Sequence, residues 1–384
     1  MIRKFCCLAL LVVWVLVSAC TPQATPVPLP APTPLQKIPA VSPTSNLSPP
    51  TSQDAAWVKV VETSKKEGRL TVYTVHLYGD MGIQMAQTFF ERTGIRVDTI
   101  TATGSTLVER IRTERRVNSQ VADVVTAAGS WVLMAKQDGL TQKVGDIPEI
   151  KDESLYRFAP QLDKDGHMLS LQLITQSPWI NTKVIKPGTE PKSWRDLLKP
   201  EWKGKIGVSD PDSSASANYT YYGLTSRGKL DQSYFVELGK QDLKFQLTSR
   251  MEGDALTRGQ ISMSLSQGLA ANSIMPFLQE GAPLKAIDMA EGIVTYRSGG
   301  VALIQGTPHP NASRVFVNWL FSKEGQMIFH KNSLTVGFRK DVPSFIPPEG
   351  QVNPVNPIMM TLEDEQEITK IQRDRTVGKI LRGG

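Results

Sequence analysis

Cysteine is almost missing from this 384-residue chain: there are 3, at positions 6, 7 and 20, and none follows. A chain without later thiols has no disulfide framework and no thiol nucleophile. Histidine is scarce too. His167 and His309 fall in apparent loops without a His-x-x-x-His or Cys-x-x-Cys companion, so no zinc site is expected. A Gly-x-Ser-x-Gly elbow, a Gly-Lys-Ser/Thr phosphate loop and a dinucleotide fingerprint are all lacking. Asp210 and Asp212 are close enough for acid–base work, but Pro211 between them favours a turn. No enzymatic activity, cofactor or metal is therefore expected. The formal charge of +6 is spread over mixed signs, and no basic run interleaves with aromatics, which argues against nucleic acid. Beyond Val17 no apolar stretch approaches a membrane span.

What is present starts at the amino terminus. Arg3 and Lys4 precede an unbroken apolar run from Leu8 to Val17, and Val17-Ser18-Ala19-Cys20 closes it with small residues. This is the layout of a secretory signal peptide over residues 1–19. Ending on cysteine, it resembles the bacterial lipobox, which implies that cleavage leaves Cys20 as an acylated first residue. The chain is then expected outside the cytoplasm, lipid-anchored to the cell membrane, in a periplasm or on the outer face. Several acyl chains hold such a protein stably. Residues 20–54 follow as a tether. Ten of the 26 prolines fall between Thr21 and Asp54, among Thr, Ser, Ala and Val. Such a segment buries little apolar area and runs as an extended stalk of at most about 100 Å.

From Trp57 short apolar strands alternate with amphipathic helices. Leu70–Thr74, Ile95–Ile100 and Val121–Val125 read as strands, and 81–92 and Ser105–Arg116 as helices, with Gly94 as a stop. This alternation implies parallel βαβ units. Thr175–Val184 reads as an extended crossing, Lys205–Ser209 as a strand opening a second α/β unit, and Gly299–Ile304 with a helix from Asn311 as a return. Thr361–Leu381 reads as one amphipathic helix. The expected class is α/β with two lobes: 55–175 plus 293–384 as lobe 1, and 176–292 as lobe 2.

Several motifs match one family in order. They are Trp57-Val58-Lys59-Val60-Val61 through Gly68 to Leu70-Thr71-Val72-Tyr73; Ser193-Trp194-Arg195-Asp196-Leu197-Leu198 with Pro200-Glu201-Trp202-Lys203-Gly204-Lys205-Ile206; and Gly299-Gly300-Val301-Ala302-Leu303-Ile304 with Phe316-Val317-Asn318-Trp319-Leu320. Over residues 56–330 the chain resembles bacterial ABC-transporter solute-binding proteins of the ferric-iron-binding type. The resemblance implies a type II periplasmic-binding-protein clamp. It would close on a small-molecule solute and deliver it, as a monomer, to a permease and ATPase complex. A ferric-iron protein with a non-standard site, and a solute sensor for a membrane signalling partner, remain alternatives.

Iron-binding members use a first-strand His, a Glu after the third strand and a tyrosine pair in the second lobe. Here His76 is offset by one, Ala127 stands at the Glu position, and Ile261-Ser262-Met263-Ser264-Leu265-Ser266-Gln267 occupies the tyrosine region, so the family's iron site is not expected. Tyr221-Tyr222 lies elsewhere. Helix starts at Gly104-Ser105, Gly129-Ser130-Trp131 and Ser213-Ser214-Ala215 offer free N–H groups to an anion. In the iron-binding relatives the position matching the third holds a phosphate-like anion. The expected ligand set is His76, Tyr78, Gly104, Ser105, Gly129, Ser130, Trp131, Ser213, Ser214, Ala215, Tyr219 and Gln267. Arg297 is a further cation near the crossing. The solute is expected to be small and anionic or zwitterionic: a phosphonate, a sugar phosphate or a carboxylate.

Overall fold

The computed structural model describes residues 52–160, 163–268, 273–352 and 355–383. The signal segment, Cys20 and the tether as far as residue 51 lie outside the described residues. Helix α1 (Ser52–Glu67) begins three residues inside the expected tether, and β1 (Arg69–Thr74) follows the Gly68 turn. Next come α2 (Gly79–Thr93), β2 (Arg96–Thr101), α3 (Gly104–Arg116), β3 (Val124–Ala127) and α4 (Gly129–Gln137). Gly94 stops α2 because it takes the left-handed conformation (φ 74°) and returns its N–H to the Phe90 carbonyl. The short β4 (Thr141–Gln142) and α5 (Pro148–Lys151) lead into the 13-residue β5 (Leu169–Asn181).

A second unit then runs through β6 (Ile206–Ser209), α6 (Ser216–Ser226), α7 (Gln232–Gly239), β7 (Lys244–Gln246), α8 (Ser249–Thr257), β8 (Met263–Gly268), α9 (Met275–Gln279) and β9 (Leu284–Ala286). The chain returns along β10 (Ile293–Ile304) to α10 (Pro310–Leu320), α11 (Lys323–Ser333), β11 (Pro357–Met360), α12 (Leu362–Arg373) and α13 (Thr376–Arg382).

The path of the sheet is β2-β1-β3-β10-β5-β8-β6-β7, with β4, β9 and β11 paired beside it. At its centre β5 and β10 run antiparallel, in register from Val294 opposite Gln176 to Val301 opposite Leu169. Parallel pairs lie on both sides: β1 with β2 and β3, and β6 with β7 and β8. Two βα lobes thus share two long strands, the longest among the described residues. One lobe is centred on Leu70, Val72, Phe89 and Phe316. The other is centred on Trp194, Leu224, Tyr234 and Phe235.

The carboxy-terminal segment departs from expectation twice. It is two helices, broken at Arg375, whose φ of 54° is left-handed and ends helical propagation. Nor does all of 293–384 belong with the first lobe: Val377, Ile380 and Leu381 enter the second-lobe core. Apolar side chains on α13 bury against α7, while α12 touches both α4 and α6.

Candidate functional site

Helix starts expose N–H donors that some group must satisfy. This chain fills most of them itself. At α10 the Glu67 carboxylate accepts from Asn311 N (3.1 Å) and Ala312 N (2.7 Å). At α3 the Thr103 hydroxyl accepts from Thr106 N, and a Cβ on Gly104 would meet Trp131 Cδ1 at 2.4 Å. Gly104 and Ser105 therefore open a capped helix packed on an indole, and they line none of the cavities described below. At α4 the buried Glu365 carboxylate of α12 sits against Gly129, where a Cβ would meet its Oε2 at 2.7 Å. Burial pushes the Glu365 carboxyl up to about 7, against the Ser130 N–H, which pulls it down. The expected anion cradle at Gly129-Ser130-Trp131 thus holds the protein's own carboxyl, and Trp131 packs on Gly104 instead of facing a solute.

The start of α6 is different. Its N-cap is Ala215, which has no side chain able to cap, and among the described residues no carboxylate is bonded there as Glu365 is at α4. Beside it lies a cavity of about 370 Å³, lined among others by Ser213, Ser214, Ser216, Thr248, Ser249 and Arg250. Its far wall comes from the crossing strands: Gln172, Ile174 and Gln176 of β5, and Tyr296 and Ser298 of β10. Two helix starts converge here, because α8 begins at Ser249 with Thr248 as its cap. Gln176 is 2% exposed, its Nε2 donates to Tyr296 Oη (3.3 Å), and its Oε1 has no partner. A buried amide atom left over on a cavity wall is costly unless something from the cavity meets it.

The remaining expected residues divide. Tyr219 stacks on Tyr296 (4.1 Å between centroids, 13° between planes) and supports the wall from behind. Burial raises both phenols well above their ordinary value, so both stay neutral. Gln267 lies beneath the wall, with Nε2 donating to the Ser249 carbonyl at 3.0 Å. His76 and Tyr78 line a second cavity, of about 510 Å³, with Asp80, Asn332, Ser333 and Thr335. Gln172 lines both cavities and so joins the two lobes' walls. Burial pushes the His76 imidazole down to about 4, and its Nδ1 is sealed without a partner. Arg297 lies in a third cavity with Lys136, Met359 and Glu363, away from the serines. The Tyr221 ring packs edge-on against Phe235 in the core.

Sequence reading missed Thr248, Ser249, Arg250, Gln172 and Gln176. Thr248-Ser249 follows the carboxyl end of β7, where open α/β sheets present ligand residues, and that signal was available. The glutamines sit in an apolar crossing strand and carry no local motif.

The model of the family described as bacterial extracellular solute-binding protein matches residues 70–335. A Salmonella typhi protein, named provisionally as a 2-aminoethylphosphonate-binding periplasmic protein, is 27% identical over 296 residues, covering 72% of this chain and 80% of its own. Among solved structures, iron-bound HitA from Pseudomonas aeruginosa superposes with a TM-score of 0.64 at 21% identity, covering 81% of this chain and 99% of its own. AfuA from Actinobacillus pleuropneumoniae, with fructose-6-phosphate bound, gives 0.58 at 22%, covering 82% and 97%. These two establish the shared two-lobed fold. With the family model spanning most of the folded region, the chain belongs to the bacterial extracellular solute-binding proteins.

Proposed function

We propose that this protein captures a small solute bearing a phosphonate- or phosphate-type group. The lobes close over the solute, which is then delivered to an ABC permease and its ATPase. The observation that carries the reading is the serine-lined cavity where the starts of α6 and α8 meet, with Arg250 beside it and the Gln176 amide left over on its wall. Convergent N–H and hydroxyl donors in a concave site favour an anion. A volume of about 370 Å³ suits a molecule of a few heavy atoms beyond that group. The relatives named for 2-aminoethylphosphonate and solved with fructose-6-phosphate carry this same chemistry.

In this reading Ser213, Ser214 and Ser249 hold the anion, while Gln172 and Gln176 reach the rest of the solute. His76 and Tyr78 approach from the first lobe on closure. The lobes divide at about residues 175 and 292, with α13 assigned to the second. Cys20 carries the acyl anchor, and the mass of the mature amino-terminal peptide tests that part.

Thermal unfolding with 2-aminoethylphosphonate, fructose-6-phosphate, acetate and ferric citrate tests the ligand class. A ligand at 100 times its dissociation constant adds about 2.7 kcal/mol, a rise of a few degrees. Stabilisation by the phosphonate or sugar phosphate, lost in Ser214→Ala/Ser249→Ala, is expected. Stabilisation by ferric citrate alone overturns the reading.

A further inference from the structure

Directly behind the serine cavity lies a carboxyl group that the anion site does not touch. Glu252, on α8, is 0% exposed. Its Oε2 is 2.5 Å from Ser209 Oγ, and its Oε1 is 2.5 Å from Ser264 Oγ. Ser209 Oγ is also 3.1 Å from Ser249 Oγ. Ser249 in turn lies 3.3 Å from Ser214 Oγ and 3.4 Å from Ser216 Oγ, and all three line the cavity. A hydroxyl chain therefore runs from Glu252 through Ser209 and Ser249 to the proposed anion.

Each hydroxyl has one proton to donate, and an ionised carboxylate only accepts. With Glu252 ionised, Ser209 must donate to Oε2. Ser209 then has no proton left for Ser249, the direction that the observed geometry favours, so the contact survives only if the Ser249 proton turns inward and the cavity sees lone pairs. With Glu252 neutral, its Oε2–H donates to Ser209, Ser209 donates to Ser249, and the Ser249 proton is free to point at the anion. The charge works in the same direction, because an ionised carboxyl buried behind a bound anion repels it.

We propose that Glu252 is a positioning residue for the solute site: in its neutral form it turns the Ser209–Ser249 hydroxyls outward as donors, so that binding the anion takes up a proton. The proposal rests on the anion reading above. Burial already pushes this carboxyl up to about 7, while hydrogen bonds from Ser209 and Ser264 pull it down. The charged neighbours do not bond this carboxyl. On α8, Asp254 pairs with Arg258, and Arg250 lies over the Phe277 ring. Beyond β6, Asp210 pairs with Arg382, and Lys244 on β7 is exposed.

The test is calorimetric titration of 2-aminoethylphosphonate into wild type and Glu252→Gln from pH 6 to 9, in buffers of differing ionisation heat. Glutamine supplies a permanent donor, and the ratio of the two proteins cancels the ligand's own ionisation. We expect wild-type affinity to fall about tenfold per pH unit above pH 7 relative to the variant, with about one more proton taken up. Parallel profiles and equal uptake overturn the proposal. Should the variant fail to fold, infrared difference spectra of wild type at pH 8 decide. A protonated-carboxyl band appearing on binding supports the relay, and no such band overturns it. Absence of binding of both 2-aminoethylphosphonate and fructose-6-phosphate to wild type at every pH overturns the anion reading itself.

Discussion

The buried histidines of the first lobe and the buried Glu252 of the second are shifted in opposite directions, while Glu365 on α12 behaves like Glu252. The first lobe holds His330, 1% exposed, with Nδ1 3.0 Å from Thr335 Oγ1 and Nε2 3.0 Å from Gln326 Oε1. Burial pushes it down to about 3, and His76 down to about 4. The second lobe buries Glu252, pushed up to about 7. In every case desolvation disfavours the charged form, yet the consequences for stability run in opposite directions. A depressed histidine contributes stability that is present above pH 6.5 and is lost as pH falls toward 3. A raised carboxyl contributes stability that is present below pH 4.5 and is lost as pH rises through about 7. The buried histidines thus weaken the first lobe in acid, and Glu252 weakens the second in base.

The sharpest way to break this contrast is through His330. By pH 4.5 protonation of this imidazole in the unfolded chain alone should cost roughly 2–3 kcal/mol of stability. Denaturant unfolding of His330→Gln against wild type at pH 7.5 and 4.5 tests it. The variant should be the weaker at pH 7.5, with its disadvantage shrinking by most of that amount at pH 4.5. A constant difference would show that acid weakness comes from elsewhere. The mirror experiment uses Glu252→Gln at pH 4.5 and 8. The variant should gain on wild type as pH rises, by roughly 3 kcal/mol. If it loses instead, the serines stabilise the ionised form and the contrast between lobes collapses.

The βα alternation of both units was readable because strand and helix periods differ along the chain, and Gly94 marked its helix end correctly. The start of β10 was not. Ile293–Ser298 precedes the Gly299-Gly300 pair that reads as a strand opening, and the residues before it alternate no more clearly than a loop. At the site, Ser213 and Ser214 stood out because a serine run opens a helix there and matches the anion position of the iron-binding relatives. Gly129-Ser130 looked equivalent, yet its occupant comes from 235 positions later in the chain (365 − 130). Local sequence shows that a helix start needs an acceptor. It does not show whether a distant carboxyl already supplies one. The Glu252 chain was hidden for the same reason, since its serines lie on β6, α8 and β8.

That distant carboxyl belongs to a helix that touches both lobes, and the two pins holding α12 there should differ in strength. On the second-lobe side, Arg227 Nη2 is 2.6 Å from Asp364 Oδ2, with the arginine side chain 35% exposed. On the first-lobe side, Glu365 is 5% exposed, beside Gly129 and the Ser130 N–H. Water reaches the arginine end, and Asp364, itself 9% exposed, keeps the Thr361 N–H, so Arg227→Gln should cost about 1 kcal/mol, less in high salt. Glu365→Ala strips a buried helix start of its acceptor and leaves a void, which should cost about 2 kcal/mol in any salt. Glu365→Gln keeps an acceptor without the buried charge and should recover most of that loss at pH 8. Unfolding the three variants at low and high salt orders the pins. If Arg227→Gln proves the costlier, α12 is held chiefly by charge, and the acceptor at the α4 start is dispensable.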